Sequence, residues 1–344
     1  MSPVSLSKAN MLARRRRWLV GVGAVAAASV VAWLGLTLAP APAPAPLPSP
    51  NGYDDLLKAG AAASPNVSDY GFMSNAALRQ LVSTNAEALR LLRVGLGRKC
   101  AVPPATLTNS GAMLTELAGM KRLAQLLVAE AQVHTADNQP AAAADSALDS
   151  MRLGNQISRG GPLIHHLVGI ACEAIGRGSL LKVLPELTPA ESRRVLSALQ
   201  EIDRTRVSFE EVARNERAYF YRELRNYPNP ILWVRALWNF GASRQLALEK
   251  HKRIVAFNRL LATELALRCY CAERSSGPPP RLEDLVPEYL AAVPEDPFSG
   301  RPLIYRPNRT KWLLYSVGPD GVDNGGRPGR YASSRPGDIV YNQP

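Results

Sequence analysis

The sequence predicts a mainly α-helical protein, built as helical hairpins or a bundle, with a small α+β module at the C-terminus and a single transmembrane helix at the N-terminus. Three observations predict it. Trp18 to Ala39 runs 22 residues without a charge. Apolar side chains recur at steps of three and four from about Ala76 to Arg274, the period of an amphipathic helix. Beyond His251 the pattern changes to short apolar and aromatic runs punctuated by proline, glycine and asparagine. The expected organisation is a basic segment 1–17, a membrane span 18–39, a proline-rich spacer 40–50, an exported helical domain 51–250 and a C-terminal module 251–344.

As a helix, Trp18–Ala39 would measure about 33 Å, against a hydrocarbon core of about 30 Å. Arg14 to Arg17 directly precede it, and such arginines stay on the cytoplasmic side. The N-terminus is therefore expected inside the cell and residues 40–344 outside, in an inner or plasma membrane. A cleaved signal peptide is the competing reading, but its apolar region is usually about 7–15 residues. A twin-arginine export signal is a third. The "PAPAPAPLPSP" run, Pro40 to Pro50, favours extended polyproline II and lifts the folded part off the membrane.

Of the formal net charge of +12, residues 1–50 carry +5 (Lys8 and Arg14 to Arg17, with no acid), which leaves +7 on the other 294 residues. That mild surplus, without a basic patch interleaved with aromatics, argues against a nucleic-acid partner. Cys100, Cys172, Cys269 and Cys271 fall on the exported side, where disulfides are permitted. Buried free thiols are the alternative. Cys269 and Cys271 stand two apart on a helix and are not expected to pair.

Met113, Leu117, Met120, Leu123 and Leu127 form one apolar stripe, and Ala144, Leu148 and Met151 a second. Between them, Asp137 or Asn138 is the expected cap and Pro140 fits the first turn. Thr188, Pro189 and Glu191 spell a helix start, followed by the buried side Val195, Leu196, Leu199 and Ile202. These alanine-rich paired helices loosely resemble tetratricopeptide hairpins. No firm 34-residue period accompanies them, so a plain bundle is expected.

Candidate chemistry in this region is sparse. His165 and His166 are neighbours and diverge by about 100° on a helix, so one ion cannot easily take both. His134 and His251 are isolated. No nucleophile elbow, zinc-protease motif or phosphate loop is present. The Glu-, Arg- and Tyr-rich Phe209–Tyr227 run reads as a solvated helix laced with ion pairs, or as a binding face.

In the last stretch, "RLEDLVPEYL" suggests a short helical turn, and "RPLIYR" and "KWLLYSVG" read as hairpin strands around "PNRT". "GDIVY" gives a final strand. Between them lies "YSVGPDGVDNGG", Tyr315 to Gly326. "DPFSG" at Asp296–Gly300, "LIYR", "YSVGPDG" and "GDIVY", in this order after a long helix, resemble the globular half of the type II secretion major pseudopilin over residues 251–344. The resemblance implies that fold and a loop that binds calcium, with Asp320 at the family's Gly-x-Asp-Gly aspartate and Asp323 and Asp338 at its later loop acids. The residues themselves suit a Ca²⁺ ion, which takes about six to eight oxygens. Asp320, Asp323, Asn324 and Asp338 offer side-chain oxygens, with carbonyls near Val317. A loop closed by Asx-turns without an ion is the alternative. The chain departs from pilins in having no acid in "RRRRWLVGVGAVAAAS" and more than two hundred residues between span and module. Filament assembly therefore lies outside what the resemblance implies.

The expected function is non-enzymatic: a membrane-anchored envelope protein with structural or interaction work, linked to secretion, with protein partners at the cell envelope. A helical receptor for exported peptides or proteins is the alternative. A hydrolase built from His165, Glu173 and Glu216 is the third reading.

Overall fold

The computed structural model describes residues 46–108, 110–224, 230–274, 277–309, 311–329 and 337–341. The expected basic segment, the transmembrane helix 18–39 and spacer residues 40–45 lie outside the described residues. Among the described residues, no helix is long and apolar enough to cross a membrane. The chain divides into two compact units, one of residues 1–45 and 216–244, the other of residues 46–215 and 245–344. The second holds the sheet and the polar clusters described below, while the helices Phe209–Leu224 and Pro230–Arg274 each include residues of both units.

Helix α1 (Gly52–Ala62) starts at Asn51, whose Oδ1 accepts from the Tyr53 N–H at 3.2 Å. The same side chain bonds both backbone groups of Ala101, at 2.9 and 3.0 Å, and so pins the start of α1 to the chain fifty residues on. Helices α2 (Asn75–Thr84) and α3 (Ala86–Leu96) follow, then α4 (Ser110–Ala136) and α5 (Pro140–Ile157). The stripe Met113, Leu117, Met120, Leu123 and Leu127 is buried, as are Ala144, Leu148 and Met151. The start of α5 differs from expectation: Gln139 takes the cap position, and neither Asp137 nor Asn138 does. Asp137 is drawn to Arg79 instead. Asn138, with φ +57°, takes the left-handed position that ends α4, a conformation asparagine tolerates better than most residues.

Helices α5 and α6 (Leu163–Val183) pack at very close range. A side chain at Gly154 would run into the carbonyl oxygen of Gly169, and one at Gly169 into that of Gly154. Bare glycine on both sides lets the two backbones approach. Helix α7 (Pro189–Arg204) carries the complete capping box that its sequence spells: the Glu191 N–H donates to Thr188 Oγ1 at 3.3 Å and the Thr188 N–H to Glu191 Oε2 at 2.8 Å. Helix α8 is Phe209–Leu224, and α9 is Pro230–Arg274. The helix expected from about Ile254 is thus the second part of a 45-residue element.

Strands β1 (Ile304–Pro307), β2 (Trp312–Ser316) and β3 (Ile339–Val340) form one antiparallel sheet in the order β1–β2–β3. Ile304 faces Tyr315, Pro307 faces Trp312, and Tyr315 in turn faces Val340. Leu303, Leu314 and Ile339 of this region join Leu148, Leu180, Leu199, Leu260 and Leu265 in one hydrophobic core. The fold is therefore mainly helical with a small sheet near its C-terminus, and helices and sheet share their interior. All four cysteines are free thiols; three are buried and Cys271 is half-buried.

Candidate functional site

The glycine-rich loop leaves β2 at Ser316 and is closed by a network of Asx-type bonds. Gly318, Gly321, Gly325 and Gly326 all have φ between 68° and 76°, the left-handed region that side chains disfavour. Asp320 accepts from the Val322 N–H at 3.2 Å through Oδ1 and from Asn324 Nδ2 at 3.0 Å through Oδ2. Asp338, only 2 % exposed, accepts from the Asn324 N–H at 3.3 Å and the Gly326 N–H at 2.7 Å. Asp320 and Asp338 thus both bond Asn324, the first at its side-chain amide and the second at its backbone N–H. Asp323 faces the sheet. Its Oδ1 accepts from the Tyr315 hydroxyl at 2.7 Å and the Gly325 N–H at 2.8 Å, and its Oδ2 pairs with Arg306 at 2.7 Å.

The electrostatics separate the same two acids. The Tyr315 hydroxyl, then the Gly325 N–H and Arg306, hold the Asp323 carboxyl below the usual carboxylate range. Burial pushes Asp338 up, against the pull of its backbone donors. Tyr315 is raised to about 12, by burial first and Asp323 second. Asp338 is thus a buried carboxylate served by amide N–H groups, with no basic side chain within ion-pair distance of it among the described residues. That is the donor chemistry a hard cation could supplement. Among the described residues, no group of three or more His, Cys, Asp or Glu side chains is arranged to hold a metal ion. An ion here would thus rely on Asp320, Asp338, the Asn324 amide oxygen and backbone carbonyls.

Asp296, which the sequence places only in a turn motif, ties the module together. It is 1 % exposed, and its Oδ1 accepts from the Phe298 N–H and the Ser316 hydroxyl, both at 2.9 Å. Its Oδ2 accepts from the Val317 N–H at 2.8 Å. The "DPFSG" and "YSVG" pieces are thereby stitched to one another. The signal that could have found this is the Asp-Pro step itself, since an aspartate opening a turn commonly bonds the backbone two residues on.

A second polar cluster lies among the helices. His166 Nε2 meets His251 Nδ1 at 3.0 Å, and His166 Nδ1 meets Ser158 Oγ at 3.3 Å. Ser158 Oγ also lies 2.9 Å from the Gly154 carbonyl; with its hydroxyl donated there, His166 would carry its proton on Nδ1 and accept from His251 at Nε2. In that arrangement the hydroxyl bonds the carbonyl four residues back, a common pattern for serine at a helix end. Glu173 is bound by both Arg206 terminal nitrogens, at 2.9 and 2.8 Å, and by Asn258 at 2.9 Å. His165 points elsewhere: its ring lies 6.3 Å from that of Tyr53, and neither ring nitrogen has a partner among the described residues. His165 and Glu173 therefore serve different neighbours, and Glu216 belongs to the other unit. Burial pulls His165 and His251 down to about 4 and His166 to about 3, so all three are neutral in the fold near neutral pH.

No family model, curated protein or solved structure matches the chain.

Proposed function

We propose that the chain is a membrane-tethered, non-enzymatic protein of the cell envelope, whose pseudopilin-like C-terminal module presents a stiffened loop to protein partners of a secretion apparatus. The observation that carries this reading is the stitching of the module. Asp296 joins the "DPFSG" turn to the end of β2. Asp338 joins the Gly-rich loop to β3. The pieces named by the resemblance thus work as one mechanical unit.

Calcium enters the proposal through Asp320, Asn324 and Asp338. An ion would take the place of the Asn324 amide hydrogens and bind that residue's oxygen instead, while Asp323 braces the loop against Arg306 and Tyr315. Sites outside the cytoplasm work at dissociation constants of about 10⁻⁴–10⁻³ M, so a lean oxygen set suffices. The ion would stiffen the loop and do no chemistry.

The receptor reading has one observation in its favour. A cleft of about 580 Å³ lies between α7, α9 and the Leu290–Glu295 segment, lined by Leu199, Ala262, Leu290 and Val293 with Gln200 and Arg259. That is the size range of ligand sites.

Affinity isolation of the full-length chain from its own membranes, with calcium or with chelator, separates the two. Recovery of secretion components that is lost on chelation supports the first reading. Recovery of assorted unfolded exported peptides, indifferent to chelation, transfers support to the second.

A further inference from the structure

A cavity of about 740 Å³ opens where the proline spacer meets the folded body. Its wall combines Leu47 and Leu96 with Arg98, Lys99 and Arg159, and no carboxylate lines it. Arg98 is spoken for, since its Nη1 bonds Asp55 at 2.6 Å. Lys99 and Arg159 have no carboxylate within ion-pair distance among the described residues. Arg159 gives one Nη2 hydrogen to the Thr205 carbonyl. Lys99 is exposed, and its backbone carbonyl accepts from the Gly52 N–H at 2.9 Å.

Two helices, α3 and α5, end beside the cavity, and a helix C-terminus carries about half a negative charge. Arg159 also serves the end of α7, since Thr205 is the C-cap of that helix, but neither Arg159 nor Lys99 has a carboxylate partner among the described residues. Asp54 is close enough to act on the Cys100 thiol, but it sits in the first turn of α1, whose half-positive end it serves. The rim is apolar: Leu47 is 45 % exposed, between Pro46 and Pro48.

We propose that this cavity binds the phosphate of an anionic phospholipid, with Lys99 and Arg159 on the phosphate and Leu47 against the glycerol and upper acyl region. This rests on the membrane-tethered reading given above. In the membrane-tethered reading only six residues of chain, 40–45, lie between a span ending at Ala39 and Pro46 at the cavity's rim, a contour of at most about 25 Å. Basic pockets beside membrane segments bind anionic headgroups for the same reason: each cation is held near a fixed sheet of phosphates.

The test uses the full-length chain in neutral-detergent micelles, with phosphatidylglycerol, phosphatidylcholine or inorganic phosphate added. Lipid retention is read by native mass spectrometry and unfolding temperature by a thermal scan. Phosphatidylglycerol should be retained and should raise the unfolding temperature, while phosphatidylcholine and inorganic phosphate at equal concentration do neither. Lys99→Gln should weaken retention about fivefold, and Lys99→Gln with Arg159→Gln more than tenfold, at about fivefold per charge. Arg159 also holds a backbone carbonyl, so Lys99→Glu serves as the variant that disturbs no hydrogen bond of the fold. Unchanged retention in Lys99→Glu overturns the proposal. Equal retention of phosphatidylcholine overturns it in favour of a merely apolar groove, and an equal effect of inorganic phosphate overturns the lipid as the source. Binding in micelles does not require the N-terminal segment to span. A chain that fractionates away from membranes yet binds through Lys99 therefore sinks the tether and leaves the anion site standing.

Discussion

Asp296 and Asp338 carry more of the module than their number suggests. Replacing Asp296 by alanine leaves the Ser316 hydroxyl and the Val317 N–H buried without an acceptor. An orphaned buried polar group costs about 1–3 kcal/mol, so Asp296→Ala should lose about 3 kcal/mol or more in urea unfolding, against under about 1 kcal/mol for exposed Ser299→Ala. The histidines set a pH dependence. Well above pH 6.5 they are neutral in both states and contribute none. Below it the unfolded chain takes up protons that the fold refuses, because burial holds His165 and His251 at about 4 and His166 at about 3. Stability should therefore fall as pH drops from 6.5 toward 4, by up to about 1.4 kcal/mol per pH unit for each histidine. His166→Gln should flatten that slope in denaturation midpoints taken at several pH values; an unchanged slope would contradict the assignment. At this scale the sequence was least informative. It put Asp320 at the motif position and offered Asp323, Asn324 and Asp338 beside it as one oxygen set, whereas in the fold Asp323 turns to Tyr315 and Arg306.

At the scale of elements, the close crossing of α5 and α6 sets a steric limit. Gly169→Leu must push the helices apart, and overpacking of this kind typically costs about 1–3 kcal/mol. The capping box at Thr188 is exposed and local, so Thr188→Ala should cost about 1 kcal/mol. Circular dichroism with thermal melting checks both, and a Leu variant as stable as the parent would deny the close contact. Most elements were legible because period and caps are local properties: the stripe from Met113 to Leu127 and the Thr188–Glu191 start appear as read. The start of α5 was not, because the cap at Asp137 lost to a partner, Arg79, that stands 58 residues away. The glycine crossing was not legible either, since nothing local distinguishes Gly154 and Gly169 from other helical glycines.

For the whole molecule, the boundary expected near residue 250 is crossed by one hydrophobic core that runs from Leu148 and Leu199 to Leu314 and Ile339. The sheet beside the Gly-rich loop is thus packed directly on the helical body. Hydrophobic periodicity showed the broad class, mainly helical with a late sheet, because patterning decides that. Shared burial between distant segments is a property of tertiary packing and has no sequence period. The most direct test of the account is the unfolding temperature of the full-length chain with 10 mM calcium against chelator, in parent and Asp338→Asn. At about 10⁻⁴ M affinity this concentration is worth about 2.7 kcal/mol, a rise of several degrees. The account predicts that rise in the parent and its loss in the variant. An identical melting temperature with and without calcium, together with no heat on titration, would contradict it.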